Sequence, residues 1–321
     1  MFVGIDISKL SFDVAVLIDS RYHSRHFENN STGFSAVLKW VKSFNGTPYF
    51  CLEATGIYGL ALAKYLHTQQ HKVVVANPIQ THAFAKMEMS RNKTDKADAM
   101  SIARYCQYLQ DKGELTKSLF TPRDKAFERV QFLVTRLDQL NKMRSQENNR
   151  LDVSLDKAAA RSIASMLRFI DKQIIKIKNE LTTIVKENEQ LKAQVELLAS
   201  IDGIGDKTAW AILAYIGDID LFENAKQVSS YAGLNPRIEQ SGTSINHSRL
   251  SKMGCARLRK SLYMPALVAV RFNPLMRVFY EKLLTKGKPK KVALVAVMRK
   301  LLVLAYGVLK SGKPFDVNYQ N

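Results

Sequence analysis

Four acids in an otherwise basic sequence have the type and placement to hold divalent cations. Asp6 lies in FVGIDIS, where alternation puts Val3, Ile5 and Ile7 on one face of a strand and Phe2, Gly4 and Asp6 on the other. A carboxylate in so apolar a strand is costly unless it is paired or bound to a metal. The plainer alternative is that Asp6 ends the strand and accepts backbone hydrogen bonds from Ser8 or Lys9. Glu53 closes the apolar run PYFCLEA in the same way. Asp95 and Asp98, in KTDKADA, stand three apart at a helix start and share a face. Capping and the helix dipole also favour Asp there, independently of any chemistry. If the four converge at one sheet edge they require cations, and oxygen-only ligands select Mg²⁺ or Mn²⁺ over zinc. Paired metals of this kind suit phosphodiester chemistry, one activating the attacking oxygen and the other stabilising the leaving one.

A second group of residues points to phosphate. Ile201, Gly203, Ile204, Gly205 and Ala209 match the turn of a helix-hairpin-helix, where glycines allow close approach and helix N-terminal amides meet the backbone of nucleic acid. Lys207 lies in the same turn, and the spacing excludes a Walker A loop. An ordinary loop before a buried helix accounts for the same glycines. Downstream, Arg249, Lys252, Arg257, Arg259 and Lys260 cluster around one helix start and are expected to face phosphate. Tyr263, Phe272, Phe279 and Tyr280 interleave with basic residues, as stacking on bases requires, although Phe272 and Phe279 are expected in the core. Ser241, in the QSGTS loop, reads by itself as a turn residue. The spacings of His23/His26 and His67/His71 resemble metal pairs without further ligands. The three cysteines, Cys51, Cys106 and Cys255, support neither a disulfide framework nor a zinc site.

These residues need elements to position them. Up to about Ala76 the order is three strands, then helix, strand, helix, strand, which predicts a mixed sheet covered by helices and is the order of a ribonuclease H-like domain. After Pro122 the chain reads as long helices. Leu167, Ile170, Ile174, Ile177, Leu181, Ile184, Asn188, Leu191, Val195 and Leu198 alternate at three and four, a heptad seam with Asn188 at an a position, where a buried Asn fixes register in a two-stranded coil. The alternative is a seam packed on the chain's own upstream helix, since Val130, Leu133, Leu137 and Leu140 share the spacing.

The 321 residues carry 48 Lys or Arg and 29 Asp or Glu, a net charge of +19. The stretch from Ala225 to Lys313 holds eighteen of the basic residues and two acids, +16 of that total. A polyanionic partner follows. Apolar residues at 46% exclude a disordered basic tail. The longest apolar run, Val292 to Leu309, is split by Arg299 and Lys300, and Asp6 and Lys9 interrupt any signal peptide. A cytoplasmic protein with no membrane partner is expected.

GIDISKLSFDVAV, CLEATGIYG and KTDKADA resemble the RuvC-like DEDD domain of the IS110 family of insertion-sequence transposases, which also includes pilin-gene DNA invertases. GLNPRIEQSG followed by LSKMGCARLRKSL resembles that family's second signature. The resemblance covers nearly the whole chain. It implies that Asp6, Glu53, Asp95 and Asp98 bind the metals and that Ser241 is the nucleophile, forming a covalent phosphoserine link to DNA. Ser244 and Ser248 are nearby rivals, and His247 is close in sequence. The resemblance further implies a site assembled across protomers and a noncoding bridge RNA beside double-stranded DNA. The expected organisation is a RuvC-like α/β domain at 1–120, a coiled-coil dimerisation arm at 121–199 and a mainly α-helical domain carrying Ser241 at 200–321. The arm would join a homodimer or a dimer of dimers. A Holliday-junction endonuclease, a DNA invertase without guide RNA and a packaging protein whose acids are only caps are the alternatives.

Overall fold

The computed structural model describes residues 1–54, 58–88, 94–241 and 245–316, the side chains of 238–241 and 245–248 excepted. The chain divides into two units, Met1–Pro122 and Arg123–Asn321.

In the first unit the three leading apolar runs form β1 (Phe2–Ile7), β2 (Ser11–Ile18) and β3 (Arg21–Glu28), joined as antiparallel hairpins. Asp19 and Ser20, both at positive φ, make the two-residue β2–β3 turn, the handedness that matches strand twist. Then follow α1 (Ser31–Val41), β4 (Tyr49–Glu53), α2 (Tyr58–Thr68), β5 (Lys72–Ala76), α3 (Pro78–Met87) and α4 (Asp95–Asp111). β4 pairs parallel to β1 and β5 parallel to β4, so the order is β3-β2-β1-β4-β5 and β1 is central. The α1 and α2 crossovers supply the length that parallel pairing needs. Each sheet face has its own core. Val3, Ile5, Phe12 and Phe50 pack with Val37 of α1 and Leu62 of α2. Cys51, Val74 and Ala76 pack with Phe84 of α3 and with Ile102, Cys106 and Leu109 of α4. Cys51 and Cys106, distant in sequence, thus meet as free thiols, and the hydrogen bond with Cys106 together with burial holds the Cys51 thiol well above its ordinary pKa.

The second unit opens with α5 (Lys125–Asp152) and α6 (Lys157–Glu187), and continues through α7 (Glu189–Ala199), α8 (Asp206–Ile216), α9 (Ala225–Tyr231), the hairpin of β6 (Pro236–Ser241) and β7 (Ile245–Leu250), α10 (Ala256–Ser261), α11 (Tyr263–Phe272), α12 (Pro274–Thr285) and α13 (Lys290–Ser311). α5 and α6 pack side by side. Ile170, Ile174, Leu181 and Ile184 join Val130, Val134, Leu137 and Leu140 in one core. Arg129–Glu180 at 2.5 Å and Arg144–Asp171 at 2.6 Å bridge the pair. The intrachain alternative therefore accounts for this seam.

The expected continuous seam through Asn188 is corrected. α6 stops at Glu187, and Asn188, at φ −118° and ψ 107°, accepts a hydrogen bond from the Leu191 amide at 2.9 Å. Asn188 is the N-cap of α7, a position its short amide side chain satisfies better than a helix interior. Among the described residues, α13 alone is long and apolar enough to cross a membrane. Its Ala293, Val297, Leu301, Leu302 and Ala305 are instead buried in the core of this unit.

Candidate active site and nucleic-acid interface

Parallel pairing sets Ile5 opposite Leu52, so Asp6 and Glu53 come at the same end of adjacent strands. α4 lies against β1 at Gly4. A Cβ there would come within 2.1 Å of the Ala99 carbonyl oxygen and 2.2 Å of the Ala103 amide nitrogen, an approach only glycine permits. Just before Ala99, the first turn of α4 carries Asp95 and Asp98. The cap of that turn is Thr94, whose Oγ1 accepts from the Ala97 amide at 3.2 Å, so capping does not explain the two acids.

The other three sequence-predicted acids act on Asp6 through space. Burial first, then the charges of Asp98, Asp95, Glu53 and Asp13, raise Asp6 from the ordinary 3.8 to about 6. Two members of the surroundings were not legible in the sequence. Asp13 stands directly opposite Asp6 across the β1–β2 pair, and its Oδ2 lies 3.0 Å from His26 Nδ1. The alternation in SFDVAV puts Asp13 in a strand, but only the register brings it to Asp6. Thr81 of α3, 3% exposed, donates its hydroxyl to Glu53 Oε1 and carries no sequence signal. Among the described residues, no three metal-ligating side chains approach closely enough to hold one ion as they stand. His26 pairs with Asp13, while His67 and His71 pack on Phe120 and Phe50, so the histidine spacings do not mark a metal site.

In the second unit, Ser241 is the last paired residue of β6, opposite Ile245. His247 stands opposite Glu239 and Ser248 opposite Ile238, whereas Ser244 lies outside the described residues. Gly205 is the N-cap residue of α8, with open space where a Cβ would be, and Lys207 is exposed in the first turn. Gly203 has a different explanation. At φ +103° its Cα faces α11, and a Cβ would come within 2.8 Å of Ala269 Cβ.

The basic cluster separates into two kinds. Arg259 donates to the carbonyls of Ala232 at 2.9 Å and Lys252 at 3.2 Å, tying α10 to the loops before β6 and after β7. Arg257 reaches Thr135 of α5 at 3.3 Å while remaining exposed. Arg249, Lys252 and Lys260 are exposed. Phe279 packs against the core, with Lys300 Nζ 4.6 Å from its ring centroid. Phe272, expected in the core, is the last residue of α11 and is 68% exposed.

A nucleic-acid-processing class is what an acid cluster and a strongly basic second unit together suggest, and the relatives define it as DNA transposases and recombinases. A transposase family model of the IS110 DEDD type matches residues 3–160, and the Transposase IS116/IS110/IS902 family matches residues 195–281. The chain is 33% identical over 321 residues to the pilin gene-inverting proteins of Moraxella lacunata and Moraxella bovis, covering 98% of this chain and 97% of theirs. It is 25% identical to the putative transposase y4qE of Sinorhizobium fredii over 97% of this chain and 89% of that protein. The chain belongs to the IS110 family of transposases. It is accordingly a DNA strand-transfer enzyme.

Proposed function

We propose that the enzyme cleaves and rejoins DNA with Asp6, Glu53, Asp95 and Asp98 as its metal-binding set and Ser241 as its nucleophile. The observation that carries this reading is the convergence of acids on Asp6, with its pKa raised to about 6. Carboxylate oxygen donors around a half-buried Asp6 that their charges disfavour in its ionised form fit Mg²⁺ or Mn²⁺. When bound, such ions polarise phosphoryl oxygens and stabilise the charge of the leaving one. A bond forms from Ser241 Oγ to phosphorus as one phosphodiester P–O bond breaks, leaving a free hydroxyl on the released strand end. Attack by a hydroxyl from another strand reverses the step and frees Ser241, so no strand end is hydrolysed. Lys207, Arg249, Lys252, Arg257 and Lys260, with the open α8 N-terminus at Gly205 in a helix-hairpin-helix role, hold the DNA backbone, and Arg259 braces the hairpin that carries Ser241.

The strand order β3-β2-β1-β4-β5 supports a ribonuclease H-like, RuvC-like reading of residues 1–120. Functionally, 121–199 forms the arm and 200–321 the serine domain. Exposed Phe132, Met143, Met166, Phe169 and Ile175 on α5 and α6 support an arm that packs against a second copy, in a dimer or a dimer of dimers. In this reading, as the resemblance in the sequence implies, a bridge RNA guides the enzyme, which acts in the cytoplasm on double-stranded DNA. Inversion without a guide RNA is a second reading, favoured by the near-full-length likeness to two pilin gene-inverting proteins. Sequencing of RNA that co-purifies with the protein separates the two. The serine mechanism is tested by Ser241→Ala, which is expected to abolish both cleavage and the covalent protein–DNA adduct while DNA binding persists. Cleavage at the unsubstituted rate would leave only hydrolysis by the acids.

A further inference from the structure

The strand-transfer reading uses Arg259 and Lys260 but leaves the adjoining face of α11 without a role. Where α11 begins, a cleft of about 530 Å³ is lined by Leu250, Arg259, Lys260, Tyr263, Met264 and Met298, among others. Its volume is that of a ligand site, roughly 300–1,000 Å³. Tyr263 is 44% and Met264 63% exposed. From the cleft an apolar stripe follows α11, since Leu267, Val268 and Phe272 are also exposed and repeat at the spacing of one helix face. Arg271 lies on the same face and Lys260 marks its start. Between residues 240 and 280 there are seven Lys or Arg and no Asp or Glu.

We propose that this cleft and stripe bind an unpaired nucleotide segment, one base seated in the cleft against Tyr263 and another stacked on Phe272, with phosphates on Lys260 and Arg271. This deepens the reading of the second unit as the part that handles nucleic acid, and rests on it. Aromatic rings exposed among cations are what strand binding without sequence preference uses, because every base offers a π-face. Nine residues of helix separate the two rings, about 13 Å. That is the length of roughly four nucleotides at about 3.4 Å each. A second copy of the chain suits this face less well. An isologous contact would set Lys260 and Arg271 against their own copies, and the stretch between Glu239 and Glu281 supplies no acid to offset them. Strand exchange supplies unpaired segments at each step, so the site has a use on the substrate the enzyme already handles.

The test titrates the full-length protein with a fluorescent single-stranded oligothymidine and with a duplex of equal length. Tyr263→Ala and Phe272→Ala are each expected to weaken single-strand binding by roughly 5- to 100-fold, with duplex affinity unchanged and Tyr263→Trp retaining the single-strand affinity. Both residues are exposed, and a thermal midpoint equal to the wild type certifies each variant as folded. Unchanged single-strand affinity in both folded variants overturns the proposal. So does a loss of sedimenting mass with strand binding intact, which would give the face to a second copy. Cleavage measured in parallel keeps the two readings apart. If Ser241→Ala still cleaves while Tyr263 remains needed for single-strand binding, the serine mechanism fails and this site stands.

Discussion

Gly4→Ala tests whether the acid cluster depends on the contact between β1 and α4. The new methyl would sit 2.1 Å from the Ala99 carbonyl oxygen and 2.2 Å from the Ala103 nitrogen, both backbone atoms that no side-chain rotation can move aside. Restoring ordinary contact at 3.4 Å or more requires α4 to withdraw from β1 by roughly 1.3 Å. Gly4, Ala99 and Ala103 are all buried, so the displacement opens gaps elsewhere in the core shared by α4 and β4. Overpacking of this kind costs about 1–3 kcal/mol. Asp95 and Asp98 travel with α4 while Asp6 stays on β1. A misplacement of about 1 Å in catalytic groups lowers rates by roughly 100-fold. Urea denaturation gives the stability, and cleavage of a DNA substrate under single-turnover conditions gives the rate. The expected result is a lower midpoint together with a loss of cleavage that excess Mg²⁺ does not restore. A variant with wild-type stability and wild-type cleavage would refute the claim that this contact positions the acids.

Two further predictions follow from the same geometry. Asp6 has a folded pKa of about 6 against an ordinary 3.8, so the folded state holds the extra proton between those values, and stability measured in chelator should fall as pH rises from about 4 through 6. The shift corresponds to up to about 3 kcal/mol for a group shielded from water, and partial exposure of the carboxylate reduces this to roughly 1–2 kcal/mol. Asp6→Asn should recover that amount above pH 6, flatten the pH dependence and abolish cleavage; a destabilised variant at neutral pH would contradict the electrostatic account. Asn188→Ala should lose about 1 kcal/mol through the missing cap of α7 and leave the sedimenting mass unchanged. A change of oligomeric state would return Asn188 to an intermolecular seam.

Much of the first unit was legible because its signals are local. Alternation identified the strands, three consecutive runs without a helix between them implied hairpins, and intervening helices implied parallel crossovers. Asp6 and Glu53 stood out because acids are unexpected at the ends of apolar strands, whereas Asp95 and Asp98, ordinary at a helix start, stood out only in combination with them and through the family resemblance. What could not be read was which residues meet them. Asp13 reaches Asp6 through strand register, Thr81 reaches Glu53 across two elements, and Gly4 matters because α4 returns to lie on it. The heptad spacing shows the opposite limit. It identified an apolar face on α6 but carried no information about the partner, and the fold supplies α5 of the same chain.

The sequence by itself determined the element types, the acids and the location of the positive charge, since these follow from residue chemistry and from periods of two and three to four residues. Tertiary structure alone decided three things. It placed Asp6 within the electrostatic reach of Asp98, Asp95, Glu53 and Asp13, it assigned Asn188 to a cap, and it turned Phe272 outward from a helix that looked like core. Each depends on contacts between residues distant in sequence, and burial, register and electrostatic coupling exist only once those contacts have formed.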